Sequence, residues 1–176
     1  MDAYRALVRR LAEKRDPEII SNSSIDHATV LVAEMLRRGQ GEAHIFSGAL
    51  NPALYSTPEV IGAMTSFLTA ADSCVKIIVQ EKEKAIPNWE IFLSRMTVEP
   101  EMLDRIDIRV GNDFVVSQPF HFTTVGSDFF RFEPDREKHE AFASFGRPGD
   151  VAQMTEVFEA FWGLSPTSLK ELAATA

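Results

Sequence analysis

Tyr4, Leu7, Val8 and Leu11 recur three and four residues apart, with Arg5, Arg9, Arg10 and Glu13 around the rest of the turn. That spacing predicts an amphipathic helix over 3–14, ended by Pro17 and followed by a short extended link over 18–22. Ser23 or Ser24 can cap a second helix running to Arg38, with Ala28, Leu31, Val32, Met35 and Leu36 on one face and Gly39 as its stop. The pattern then changes period. Ala43 to Ser47 reads as a strand, and Thr57-Pro58-Glu59 opens a helix that carries Val60, Ala63, Met64, Phe67 and Leu68 inward to about Ala71. Val75 to Val79 is β-branched at every position but Lys76, a run that suits a strand buried on both faces.

Glu81 to Lys84 reads as a solvated loop or the start of a helix, Asn88 as the cap of a helix through Met96, and Ile106 to Val110 as an alternating strand. Four short β segments follow: Phe114 to Val116, Phe120 to Val125, Phe129 to Glu133, and Ala141 to Phe145. The Gly126-Ser127 pair is short enough to turn a hairpin between the second and third. Asp150 can cap a last core helix with Val151, Met154, Val157, Phe158, Phe161 and Trp162 on one side, and a tail helix follows Pro166. Helical crossovers imply parallel strands first, and short turns imply antiparallel ones later. The expected fold is therefore a single α/β domain over 1–176, with a mixed central β-sheet flanked by helices.

Composition fits that reading. The chain has 176 residues and 45% are hydrophobic, enough for one sizeable core, and its thirteen Phe against two Tyr and two Trp favour packing over polar display. The formal net charge of -8 disfavours nucleic acid as a partner without excluding a local basic cleft. The single cysteine, Cys74, reads as a small core residue and allows no intrachain disulfide. The start of the chain lacks a long apolar segment and no apolar run approaches membrane-spanning length, so the expectation is a cytoplasmic protein with no membrane insertion.

Of the four histidines, only His121 has companions at a recognisable chemical spacing. Alternation puts His121 and Thr123 on one face of their strand, and Asp128 follows across the turn. Attack on phosphorus by a histidine needs a neutral nitrogen, a carboxylate that orients the ring, and cationic donors for the phosphoryl oxygens. His121 and Asp128 can supply the first two, whereas Thr123 offers only a hydroxyl.

The segment His121-Phe122-Thr123-Thr124-Val125-Gly126-Ser127-Asp128 resembles the phospholipase D superfamily signature H-x-K-x-x-x-x-D, and the order of elements over 43–162 is compatible with that family's β/α unit. The resemblance implies that His121 matches the nucleophilic histidine and Asp128 the aspartate, with Thr123 standing where the lysine belongs. Residues 1–38 are then an N-terminal helical extension and 165–176 a tail helix. The Gly-Ser element that often follows the aspartate is also missing, with Pro134-Asp135-Arg136 in its place. Family members with one copy of the signature pair two units about a two-fold axis, so a homodimer is implied. The family's chemistry uses neither metal nor cofactor, and the sequence has no dense cluster of ligating residues, so none is expected.

Arg131, Lys76 and Arg109 are candidate replacements for the lost cation. Arg131 and Glu133 can pair on one strand face, or Glu133 can orient His121. Asn22 and His27 flank the start of the second helix, where capping is the ordinary role. His44 and Ser47, at a strand that ends beside Gly48, are further binding candidates. The leading expectation is a non-catalytic phospholipase D-like domain that binds a phosphate-containing ligand or a protein partner. The alternatives are an active homodimeric phosphodiesterase or nuclease using His121, and a protein-interaction module using the leading helices.

Overall fold

A computed structural model describes residues 1–138 and 140–175, and His139 and Ala176 lie outside the described residues. The first half runs α1 (Asp2–Lys14), β1 (Ile20–Asn22), α2 (Ile25–Arg38), β2 (Glu42–Ser47), α3 (Pro52–Tyr55), α4 (Pro58–Leu68) and β3 (Cys74–Val79). The second half runs α5 (Lys82–Arg95), α6 (Pro100–Leu103), β4 (Ile106–Val110), α7 (Asp113–Val116), β5 (His121–Val125), β6 (Phe129–Glu133), β7 (Ala141–Ser144), α8 (Pro148–Gly163), β8 (Thr167–Ser168) and α9 (Leu169–Ala174).

The strands form one mixed sheet in the order β1-β7-β6-β5-β2-β3-β4-β8. β2, β3 and β4 are parallel neighbours, joined by helical crossovers, and every other pairing is antiparallel. Gly126, at φ 63, makes the tight turn from β5 to β6, in a conformation that a β-carbon would disfavour. The fold is thus the α/β class with a mixed sheet that the hydrophobic pattern predicts.

Each sheet face has its own core. Ala43, Ile45, Val75, Ile77, Val125 and Phe129 pack with α2 and α4 on one face, while Phe46, Ile78 and Phe122 pack with Phe158 and Phe161 of α8 on the other. Ala28 to Leu36 of α2 is a continuous buried run, which makes this helix a central core element. Truncating a fully buried side chain such as Leu31 costs about 2–5 kcal/mol. Glu34 is buried within that run and is held by Arg9, Arg37 and Arg38 at 3.5, 2.8 and 3.8 Å, so the basic pair ending α2 serves an internal carboxylate as well as the helix dipole.

The link expected over 18–22 is extended, and its residues Ile20 to Asn22 register against Ala143 to Ala141 as a strand at the sheet edge. Four other local expectations are corrected. Phe114 to Val116 is helical rather than extended: Asn112 caps the turn by accepting from the Val115 N–H, and the Gln80 side chain takes its carbonyls. The helix expected to begin at Asn88 begins at Lys82 and carries Pro87 inside it, while Asn88 donates to the Ala49 carbonyl at 2.7 Å. The last core helix begins at Pro148, so Asp150 sits in its first turn beside Arg147 instead of capping it. Cys74, expected in the core, is half-buried with its Sγ 3.7 Å from Glu42 Oε1. Among the described residues no helix is long and apolar enough to cross a membrane.

Candidate functional site

Ligand sites in open α/β sheets gather outside the carboxyl ends of parallel strands. Here β2 and β3 end at Ser47 and Val79, and the antiparallel pairings return His121, Glu133 and Asn22 to the same edge. A cavity of about 660 Å³ opens there, lined by Ser47, Gly48, Tyr55, Lys84, His121, Arg131, Glu133 and Arg136 among others. A β-carbon on Gly48 would come within 3.4 Å of the His121 ring, so the glycine lets the loop after β2 close against it. The same loop holds Leu50 at φ 52, and the Ser47 hydroxyl accepts the Leu50 N–H at 3.2 Å.

The β5–β6 register fixes what surrounds His121. His121 faces Glu133 and Thr123 faces Arg131, so all four side chains project from the same sheet face. His121 Nδ1 lies 3.7 Å from Glu133 Oε2. Its Nε2 lies 3.0 Å from Gln80 Oε1, and the Gln80 amide nitrogen donates to the carbonyls of Val115, Val116 and Gln118 at 3.1, 3.3 and 2.8 Å. Those carbonyls fix the amide orientation, so Gln80 Oε1 accepts and His121 Nε2 carries the proton. Arg136 donates to the same Oε1 at 3.0 Å.

Arg131 is 5% exposed; its Nε donates to Asn22 Oδ1 at 3.3 Å and one terminal nitrogen to Glu133 Oε2 at 3.4 Å. Burial is the largest single influence on Glu133 and pushes its carboxyl up, but Arg131 and the His121 ring in its doubly protonated, charged form together outweigh it and leave the group below its ordinary value. Thr123 is fully buried, with Oγ1 3.4 Å from Tyr55 Oη, where burial raises the tyrosine.

The structure thus brings His121, Arg131, Glu133 and Ser47 to one cavity and sets Thr123 behind Tyr55. Asp128 is not brought to His121: it lies in the β5–β6 turn at the opposite end of the strand, where one terminal nitrogen of Arg15 donates to both its carboxylate oxygens at 2.5 and 2.7 Å. His44 also lies away from the cavity, on the face covered by α8, stacked on Phe158 at 4.4 Å with Nδ1 3.2 Å from Thr124 Oγ1. Lys76 pairs with Glu42 and Glu159, and Arg109 with Asp107, so neither cation faces His121. Asn22 does reach the site, through Arg131, whereas His27 stacks on Tyr4 at 3.8 Å. Gln80, Tyr55, Lys84 and Arg136 were not legible as site residues from spacing. The available signal was Gln80 itself, a polar residue immediately after the buried run of β3.

A family described as "Domain of unknown function (DUF7931)" matches residues 24–172. No curated protein matches the chain. Among solved structures, TrmBL2, described as an archaeal chromatin protein with a novel mode of DNA binding, is 15% identical with a TM-score of 0.56; the match covers 94% of this chain and 61% of TrmBL2. Nuc from Salmonella typhimurium, a phospholipase D family member, is 13% identical with a TM-score of 0.59; that match covers 85% of this chain and 98% of Nuc. At such identities the likeness is one of fold. The chain belongs to the DUF7931 family and is built on a phospholipase D-like α/β fold.

Proposed function

We propose that this chain is a phospholipase D-like domain that binds a phosphate-containing ligand in the His121–Arg131 cavity without turning it over. In this reading Thr123 occupies the place of the family's lysine and Arg131 supplies the cation from the facing position on β6. A guanidinium suits a bound phosphate because its planar fork of donors matches two oxygens at once. Arg136 on the cavity wall adds positive charge, while Lys84 there is paired with Glu81. The net charge of -8 favours a small phosphate compound over a long nucleic acid, and the DNA binding described for TrmBL2 remains that protein's property.

The Gln80 amide carries the non-catalytic part of the reading. A histidine nucleophile oriented by a carboxylate at Nδ1 attacks through a lone pair on Nε2. With Gln80 Oε1 accepting from Nε2, that lone pair is replaced by an N–H, a donor suited to an anion or to the amide itself.

The test is calorimetric titration with inorganic phosphate and a nucleoside monophosphate, beside turnover of bis(4-nitrophenyl) phosphate and of single- and double-stranded DNA and RNA. Saturable phosphate binding that weakens about tenfold or more in Arg131→Lys and Arg136→Gln, without turnover, is expected. Turnover abolished by His121→Ala would replace this reading with the phosphodiesterase one.

A further inference from the structure

Outside the phosphate cavity, the chain assembles a second polar cluster on the opposite sheet face. Glu42 and His44 project from β2 on the side of Phe46, and α8 brings Glu159 over them. One ligand atom from each of Glu42, His44 and Glu159 lies within 4.8 Å of the others. His44 is 3% exposed, and its buried Nε2 has no aligned hydrogen bond among the described residues. That nitrogen sits 3.2 Å from Glu42 Oε2 and 3.7 Å from Glu159 Oε1. Nδ1, by contrast, has the Thr124 hydroxyl at 3.2 Å, the outer contact that sets a ligating imidazole's tautomer.

We propose that Glu42, His44 and Glu159 form a binding site for a zinc-class divalent transition metal. An imidazole with two carboxylates is a donor set for such an ion, whereas magnesium and calcium favour oxygen ligands throughout. Bond lengths of about 2.0–2.2 Å require the ligand atoms to close in, and the two glutamates can do so because their side chains are 37% and 45% exposed. The buried imidazole is the fixed point. Glu42 and His44 also line a second cavity, of about 750 Å³, which gives an ion a route from solvent.

Lys76 is the built-in competitor. Its Nζ lies 2.8 Å from Glu42 and 2.9 Å from Glu159, so it holds the carboxylates together, yet two carboxylates against one ammonium leave a negative charge beside the imidazole. The ammonium also lies 5.8 Å from the Trp162 ring, a contact that can hold it as a metal displaces it.

Calorimetric titration of the full chain with Zn²⁺ alone tests the site. One zinc ion per chain is expected, with affinity falling about tenfold or more in Glu159→Gln and His44→Gln and rising in Lys76→Gln. Should His44→Gln fail to fold, Glu159→Gln on the exposed side of α8 carries the same comparison. Absence of saturable binding by the wild-type chain, or an affinity that Glu159→Gln leaves unchanged, would overturn the proposal. Phosphate titration is read independently, because none of these three residues lines the His121 cavity.

Discussion

Two histidines on neighbouring strands, His44 of β2 and His121 of β5, share the same ingredients of a carboxylate, a cation and one neutral hydrogen-bond partner, with different outcomes. At His121 the neutral partner is Gln80, which takes Nε2, while Nδ1 turns to Glu133. At His44 the partner is Thr124, which takes Nδ1, while Nε2 turns to two carboxylates. The cations differ as well: Arg131 is buried and tied at two points, whereas Lys76 bridges carboxylates that open to solvent. The first arrangement suits the recognition of an anion and the second the capture of a cation. Which nitrogen the neutral partner occupies separates them.

The largest expected effect comes from Arg131→Met. It leaves Glu133 without its buried cation, and removal of one partner of such a pair costs about 3–5 kcal/mol, read as the shift in the urea unfolding midpoint together with loss of phosphate binding. A variant with nearly wild-type stability would place the cation outside the core of the site. Thr123→Lys comes next. The new ammonium enters a fully buried position facing Arg131, and a destabilisation on the order of 3 kcal/mol is expected, with partial recovery in the double variant Thr123→Lys/Arg131→Thr. Additive losses in the double variant would contradict the exchange of cation between facing strand positions.

A smaller effect should appear in acid. The Glu133 carboxyl is lowered from its ordinary 4.5 in the folded chain, so the stabilisation it provides is present above 4.5 and is lost as pH falls through the lower folded value. Glu133→Gln should flatten that part of the profile of urea midpoint against pH. An unchanged profile would show that the carboxylate gains nothing from His121 and Arg131. The smallest effect belongs to Asp128→Asn, which removes a partly exposed pair with Arg15. Stability should change by no more than about 1 kcal/mol and phosphate affinity should stay as in the wild type. Loss of phosphate binding would tie Asp128 to the His121 cavity after all.

The periodicity of α1, α2 and α4, the buried run of β3 and the hairpin at Gly126 were all readable, because each is a local pattern. What strand parity left open was the orientation of Arg131, which depends on the register between β5 and β6. That register places it opposite Thr123. The helical turn of α7 escaped notice because Phe114 to Val116 has β-forming side chains, and its conformation is set by Asn112 and the distant Gln80. Spacing joined His121 to Asp128 across seven residues. In space the strand separates them and leaves Asp128 to Arg15. The metal-type cluster lay beyond any local reading, since Glu159 arrives from a helix more than one hundred residues after Glu42 and His44.

The imidazole ¹⁵N spectrum of His121 in the wild-type chain tests the central claim most directly, because neutral nitrogens with and without a proton resonate far apart. The account predicts a protonated Nε2 whose signal shifts in Gln80→Leu, where the accepting oxygen is gone. An unprotonated Nε2 in the wild-type chain, with the proton on Nδ1 toward Glu133, would contradict it and restore the lone pair that a nucleophile requires.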